Sequence, residues 1–175
     1  MTNRYESGSA ADHRQEFRGI IGCAVITVSD TRSVENDTSG QALTDLLTAA
    51  GHKVVERAIV PDEPVELHRL VSRLVEASNV EAILLTGGTG IAARDTTPET
   101  LRPLFTKEMF GYGELLRLLS YEQIGPAAML SRACGGLIGQ TLVLTMPGST
   151  AAVRLAMEKL ILPELAHMVG LGAGR

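Results

Sequence analysis

The sequence predicts an α/β fold of three layers: a mostly parallel sheet with helices on both faces and a small β-hairpin. Three observations predict it. Short, nearly uncharged, β-branched runs alternate with stretches whose apolar residues recur at three and four positions, the pattern of βαβ units. The apolar runs end in turns rich in Gly, Pro, Asp and Ser. The chain has 175 residues, 45% of them hydrophobic, enough to bury a sizeable core.

The elements follow in order. Residues 1–17 are polar, carry charges of both signs and lack the apolar segment of a signal peptide, so a flexible tail is expected ahead of one domain over 18–175. "IIGCAVITVS" (20–29) reads as a strand buried on both faces. The stretch from Thr38 places Leu43, Leu46, Leu47 and Ala50 on one helical face, with Gly51 as its terminating residue. "KVVERAIV" (53–60) is the second strand, and Pro64 opens a helix marked by Leu67, Leu70, Val71, Leu74 and Val75. "VEAILLT" (80–86) is the third strand. After a glycine loop, Thr97 is expected to cap a helix with Pro98 at its first position. The run 107–125 looks helical with a Gly-Tyr-Gly break at 111–113. Two apolar runs around Gly139-Gln140 suggest a hairpin into a last core strand at 141–146, and a terminal helix is expected over 149–169. The whole is a Rossmann-like sheet.

Composition excludes several functions. The net charge of −4 gives no general attraction for nucleic acid or an anionic membrane, so an anionic ligand must be held by local donors or a metal. No apolar run reaches the length of a membrane span. Cys23 and Cys134 lie apart in apolar stretches and read as small buried hydrophobes; no disulfide framework is expected, which suits a reducing cytoplasm. His13, His52, His68 and His167 form no cluster, so no zinc site is expected.

In a parallel sheet, ligands bind beyond the carboxyl ends of the strands. Here those ends are followed by Ser29, Asp30 and Thr31; by Pro61, Asp62 and Glu63; by Thr86, Gly87, Gly88, Thr89 and Gly90, with Asp95 beyond; and by Pro147, Gly148 and Ser149. Taken singly, each is a turn, a cap or a solvated acid. The weight comes from four loops on one edge. Glycines let backbone amides approach an anion, and the Ser149 turn opens a helix whose positive end suits phosphate. The acids cannot hold phosphate but can hold Mg²⁺. The Walker pattern fails because no Lys follows these glycines, and Gly88-Thr-Gly90-Ile-Ala-Ala93 matches the dinucleotide fingerprint only weakly, since Asp95 to Pro98 postpones the helix. An aspartate after the glycine loop therefore points to a metal–nucleotide site built differently from a P-loop.

"SDTRS" with "DTSG", "TGGTG" with "RDTTPE", "GYGELLRLLS", "AMLSRA" and "MPGS" together resemble the MoaB/MogA family of molybdenum-cofactor biosynthesis, to which the gephyrin G domain is related. The resemblance spans about residues 20–165, and "SDTRSVENDTSG" and "LSYEQIG" lean toward the MoaB branch. It implies the molybdopterin-binding fold and adenylyl transfer: Mg²⁺ and ATP used to adenylylate the terminal phosphate of molybdopterin, releasing pyrophosphate. It places the two catalytic, metal-holding aspartates on Asp62 and Asp95, substrate binding on the loop Thr86–Gly90, and the pterin side on Ser29, Asp30, Thr31 and Pro147–Ser149. It also implies a homo-oligomer, trimer or hexamer, working with other proteins of the pathway. The family often has a second basic residue before the arginine matching Arg94; here that position is Ala93. The alternative is a non-catalytic molybdopterin-binding or scaffold protein of the same pathway.

Overall fold

A computed structural model describes residues 19–174; the tail expected over 1–17 lies outside the described residues. β1 (Gly22–Val28), α1 (Thr38–Ala49), β2 (Lys53–Val60), α2 (Pro64–Val75) and β3 (Ala82–Thr86) alternate as expected. They are followed by α3 (Thr97–Leu101), the two-residue β4 (Lys107–Glu108), α4 (Phe110–Ile124), β5 (Gly135–Ile138) and β6 (Thr141–Met146). The chain closes with α5 (Thr150–Ala156), a π turn (Met157–Ile161) and α6 (Leu162–Gly172). The six-stranded sheet has the order β2-β1-β3-β6-β5-β4. β2, β1, β3 and β6 run parallel, while β5 and β4 add antiparallel. β5 and β6 are the arms of the expected hairpin, which turns at Gly139 with φ 60°.

The sheet is covered on both faces because alternate strand residues point to opposite sides. Ala24, Ile26 and Val28 pack with Leu67, Val71 and Leu74 of α2 and Leu101 of α3. Cys23 and Val25 pack with Leu43 and Leu47 of α1, Leu116 of α4 and Val153 of α5. Each fully buried Leu or Ile contributes roughly 1.5–3 kcal/mol of apolar burial. Both cysteines are buried, as expected, and burial pushes the Cys23 thiol up to about 12. The chain leaves β1 toward the α1 face and β3 toward the α3 face. A crevice opens where neighbouring strands send their loops apart, and it falls here between the carboxyl ends of β1 and β3.

Four expectations need correction. Thr97 is not the cap of α3: Thr96 is, Pro98 is the second helical residue, and neither threonine gives a side-chain cap bond. The Thr97 hydroxyl donates instead to the Gly87 carbonyl, 3.2 Å away. Gly-Tyr-Gly does not break the helix: α4 runs through it. Glycines in a first turn cost little, because the amides there lack helical partners anyway, and Gly113 is fitted tightly, since a Cβ would stand 2.5 Å from the Ala133 carbonyl. Lys107 and Glu108 are a strand rather than helix, paired with Leu137 and Gly136. Ala50 is exposed just beyond α1, whereas Gly51 takes the positive φ of 84° expected of a helix terminator. The terminal helix is the expected one with a π turn inserted before Pro163, which has no N–H to continue an α-helical ladder. Among the described residues no helix is long and apolar enough to cross a membrane.

Candidate functional site

Because β1, β2, β3 and β6 are parallel neighbours, the loops expected to share one edge of the sheet do so. Arg94 knits three of them. Its Nε donates to Asp30 Oδ2 at 2.7 Å, and its Nη2 reaches Asp30 Oδ1 and Glu63 Oε1, each at 3.0 Å. Asp30 Oδ1 also accepts from the backbone N–H of Asp62 at 3.1 Å. The Arg94 hydrogen bond, then the Asp62 amide, hold the Asp30 carboxyl below the usual carboxylate range. Ser29 Oγ accepts from the amides of Thr31 and Arg32, each at 3.2 Å, so Ser29, Asp30 and Thr31 form a self-satisfied turn.

The glycine loop is held from one side. The Gly87 and Gly88 carbonyls accept from the hydroxyl and the amide of Thr97, at 3.2 and 3.1 Å. The Thr89 carbonyl accepts from the amide of Arg132 at 2.8 Å, and the Gly90 carbonyl from its Nε at 2.6 Å. A planar trans peptide points its N–H opposite to its C=O. The next amides, those of Gly88, Thr89, Gly90 and Ile91, therefore point away from these anchors, and none has a hydrogen-bond partner among the described residues. Gly87 and Gly88 sit at φ 105° and 63°, a region side chains disfavour.

Asp62 and Asp95 bracket this loop. A Cβ on Gly88 would stand 2.9 Å from Asp62 Oδ1, and one on Gly90 would stand 2.7 Å from Asp95 Oδ2. Asp95 Oδ2 accepts from the Ala92 amide at 2.8 Å. No side chain donates to Asp62 among the described residues. Partial burial first, then the charges of Asp30 and Asp95, push the Asp62 carboxyl above its ordinary range; Arg94 and the Asp30 amide oppose this and lose. Oxygen-only carboxylates around a glycine loop suit a hard cation. Among the described residues no three His, Cys, Asp or Glu gather into a metal cluster, so phosphate oxygens and water would have to complete the coordination of such a cation.

The remaining turn adjoins the loop. Gly87 N–H donates to the Met146 carbonyl at 3.1 Å, and the Thr86 hydroxyl donates to the Pro147 carbonyl at 3.0 Å. A Cβ on Gly148 would lie 3.5 Å from the Gly87 Cα. Ser149 caps α5, its Oγ accepting from the Ala152 amide at 3.2 Å. Two residues of this edge, Asp37 in "DTSG" and Arg132 in "AMLSRA", carry roles that those motifs were not given in the sequence. Asp37 is buried and caps α1, a role that Ser39-Gly40 immediately after it could have signalled. Arg132 lies on the segment between α4 and β5 and donates to the loop from far along the chain, a contact its local motif does not disclose.

The family described as "Probable molybdopterin binding domain" matches residues 24–167. "Molybdenum cofactor biosynthesis protein B" of Bacillus subtilis (strain 168) is 51% identical over 162 residues, covering 92% of this chain and 95% of that protein. A crystal structure of a molybdenum cofactor biosynthesis protein B superposes with a TM-score of 0.87 at 47% identity, covering 90% of this chain and 98% of that one. The tungsten cofactor synthesizing protein MoaB from Pyrococcus furiosus superposes with a TM-score of 0.80 at 35% identity, covering 89% of this chain and 98% of that one. The chain belongs to the MoaB/MogA family of molybdenum-cofactor biosynthesis proteins, with its molybdopterin-binding domain.

Proposed function

We propose that the protein transfers AMP from Mg²⁺–ATP to the terminal phosphate of molybdopterin and releases pyrophosphate. One observation carries this reading: Asp62 and Asp95 bracket a loop that offers four unpartnered backbone amides. A phosphate oxygen of the pterin attacks the α-phosphorus, a new P–O–P bond forms, and the bond to the β-phosphate breaks, with pyrophosphate taking the electron pair. The amides of Gly88 to Ile91 donate to phosphate oxygens and hold the chain of phosphates in line. Asp62 and Asp95 would hold the metal, and a bound cation would offset the burial, and then the repulsion from Asp30 and Asp95, that raise the Asp62 carboxyl. Mg²⁺, when bound, supplies charge neutralisation at the reacting phosphates. Ser29, Asp30, Thr31 and the Pro147–Ser149 turn take the pterin side.

The same reading includes a homo-oligomer, a trimer or a pair of trimers. Phe110, Leu115, Leu118, Tyr121 and Ile124 are all exposed on α4, more apolar surface than a lone helix leaves to water. Of the other apolar residues there, Leu116 is buried in the core and Met109 and Leu119 are half-buried against it. Light scattering at micromolar concentration is expected to give at least a trimer mass, and a monomer mass overturns this part. The activity is tested by incubating the protein with molybdopterin, ATP and Mg²⁺ and looking for adenylylated pterin by mass spectrometry. Pterin bound but never adenylylated would leave the binding or scaffold role in its place.

A further inference from the structure

Arg132 is the only side chain among the described residues that donates to both ends of the segment Gly90–Asp95. Its Nε donates to the Gly90 carbonyl at 2.6 Å and its Nη2 to the Asp95 carbonyl at 2.5 Å, while its Nη1 pairs with the Glu99 carboxylate. Its own backbone N–H takes the Thr89 carbonyl at 2.8 Å. A guanidinium is a rigid planar fork, so these bonds fix two peptide planes relative to one another in a way a flexible ammonium cannot. The planes matter because of what lies on their other side. With the Gly90 carbonyl held on Arg132, the Ile91 amide must face away; with the Asp95 carbonyl held, the backbone carrying the Asp95 carboxylate is set against the Gly90 turn. The residue reaches neither the loop amides nor the carboxylates themselves, so it touches no reacting group.

We infer that Arg132 is a positioning residue: it turns the carbonyls of the glycine loop inward so that the amides present one concave face to phosphate, and it fixes the spacing between that face and Asp95. The inference rests on the loop being a phosphate site. Glu99 completes the device by anchoring the third guanidinium nitrogen from α3, so that the fork is held between the helix and the loop it shapes.

The test uses the full chain, with ¹⁵N-labelled glycine and inorganic pyrophosphate as the probe. In the wild type the amide signals of Gly88 and Gly90 are expected to shift saturably with pyrophosphate. Arg132→Lys keeps the charge and the backbone bond to Thr89 but loses the fork. It is expected to weaken pyrophosphate binding about tenfold, the loss of one charge-assisted hydrogen bond, at nearly unchanged Tm. Glu99→Gln leaves every bond to the loop in place and loosens only the far anchor, so a smaller weakening in the same direction is expected. Arg117→Lys, which alters the neighbouring guanidinium that donates to the Ser131 carbonyl, is expected to change nothing. A purely structural role for Arg132 would lower Tm and leave the affinity of the folded protein unmoved. Equal affinity in wild type and Arg132→Lys overturns the inference and leaves the phosphate loop standing. Should Arg132→Lys fail to fold, unchanged affinity in Glu99→Gln overturns it instead. A wild type whose Gly88 and Gly90 amides ignore pyrophosphate overturns the phosphate reading of the loop, and this inference with it.

Discussion

Asp37 and Asp62 stand in loops at the same edge of the sheet, and their surroundings are opposite. The Asp37 side chain is fully covered, and it accepts from the Gly40 amide at 2.9 Å, the Thr27 hydroxyl at 2.8 Å, the Ser39 hydroxyl at 3.2 Å and Arg57 at 3.0 Å. Burial alone would raise its carboxyl, but the Gly40 amide, then Thr27 and Arg57, outweigh it and hold the group below the usual carboxylate range. Asp62 is only half-buried, receives no side-chain donor among the described residues, and is pushed above that range. A carboxylate that the fold uses is surrounded by donors. A carboxylate left beside other acids, next to a loop of unpartnered amides, is the kind of group the proposed cation site calls for.

The largest effect that would break this contrast is on turnover. Asp62→Asn and Asp95→Asn keep shape and remove charge. Each is expected to cut AMP transfer by about 10²-fold or more, the usual cost of losing one electrostatic contributor to a transition state. Molybdopterin affinity should persist, and the double variant should be little worse than either single one, since both acids act through one site. Asp62→Asn should also raise the Tm of the free protein, because it removes a charge the fold resists. Activity near wild type in either single variant would return Asp62 and Asp95 to ordinary surface acids.

Next in size is stability. Asp37→Asn can keep one oxygen for the cap but puts an amide donor where Thr27 and Arg57 donate, and should cost about 2–4 kcal/mol. The pH dependences have opposite signs. Asp37 has a lowered folded value, so its contribution is present above the unfolded carboxylate pKa and is lost as pH falls through the folded one. Asp62 has a raised folded value, so its penalty is absent below the unfolded pKa and fully present once pH has risen past the folded one. Thermal unfolding between pH 3 and 7 should therefore show Asp37→Asn losing acid sensitivity and Asp62→Asn gaining relative stability toward neutral pH. Parallel curves for the two variants would mean that they share one environment.

The glycine loop sharpens the contrast at one position. Gly88 has φ 63°, and a Cβ there would stand 2.2 Å from the Thr97 hydroxyl as well as against Asp62. Gly88→Ala is expected to cost about 1–2 kcal/mol of backbone strain and to abolish activity by pushing the loop and Asp62 apart. Gly111, with open space around its Cβ position, should tolerate the same change. Circular dichroism melts and the AMP-transfer assay on both variants check this.

The parallel half of the fold was legible because its signal is local. The apolar period placed β2 and α2 at the residues where they stand, and the shared edge of four loops followed from parallel strands alone. The antiparallel extension was less legible, because β4 is two residues whose strand character comes only from pairing with β5. The site divided in the same way. Asp62, Asp95 and the glycines announce themselves by following strands. Arg132, 42 residues from Gly90 and 37 from Asp95, acts through contacts that tertiary folding alone creates. Asp37 was passed over because its neighbours read as a helix start while its partners, Thr27 and Arg57, lie on two different strands.

Ser149 tests the smallest difference between a group the fold uses and one kept for a ligand, because it is placed to be both. Its Oγ accepts from the Ala152 amide as the cap of α5, so Ser149→Ala should cost about 1 kcal/mol of stability. That loss is expected whatever the turn binds. The informative quantity is the ratio of two affinities. The Pro147–Ser149 turn is joined to the glycine loop through the Thr86 hydroxyl, which donates to the Pro147 carbonyl, yet it opens its own helix. If the turn holds a pterin phosphate, calorimetry should show molybdopterin binding weakened several-fold while ATP binding changes less, since the nucleotide is assigned to the loop amides. If both affinities fall together, the turn and the loop form one anion site. If neither moves, Ser149 belongs with Asp37 as a residue the fold keeps for itself.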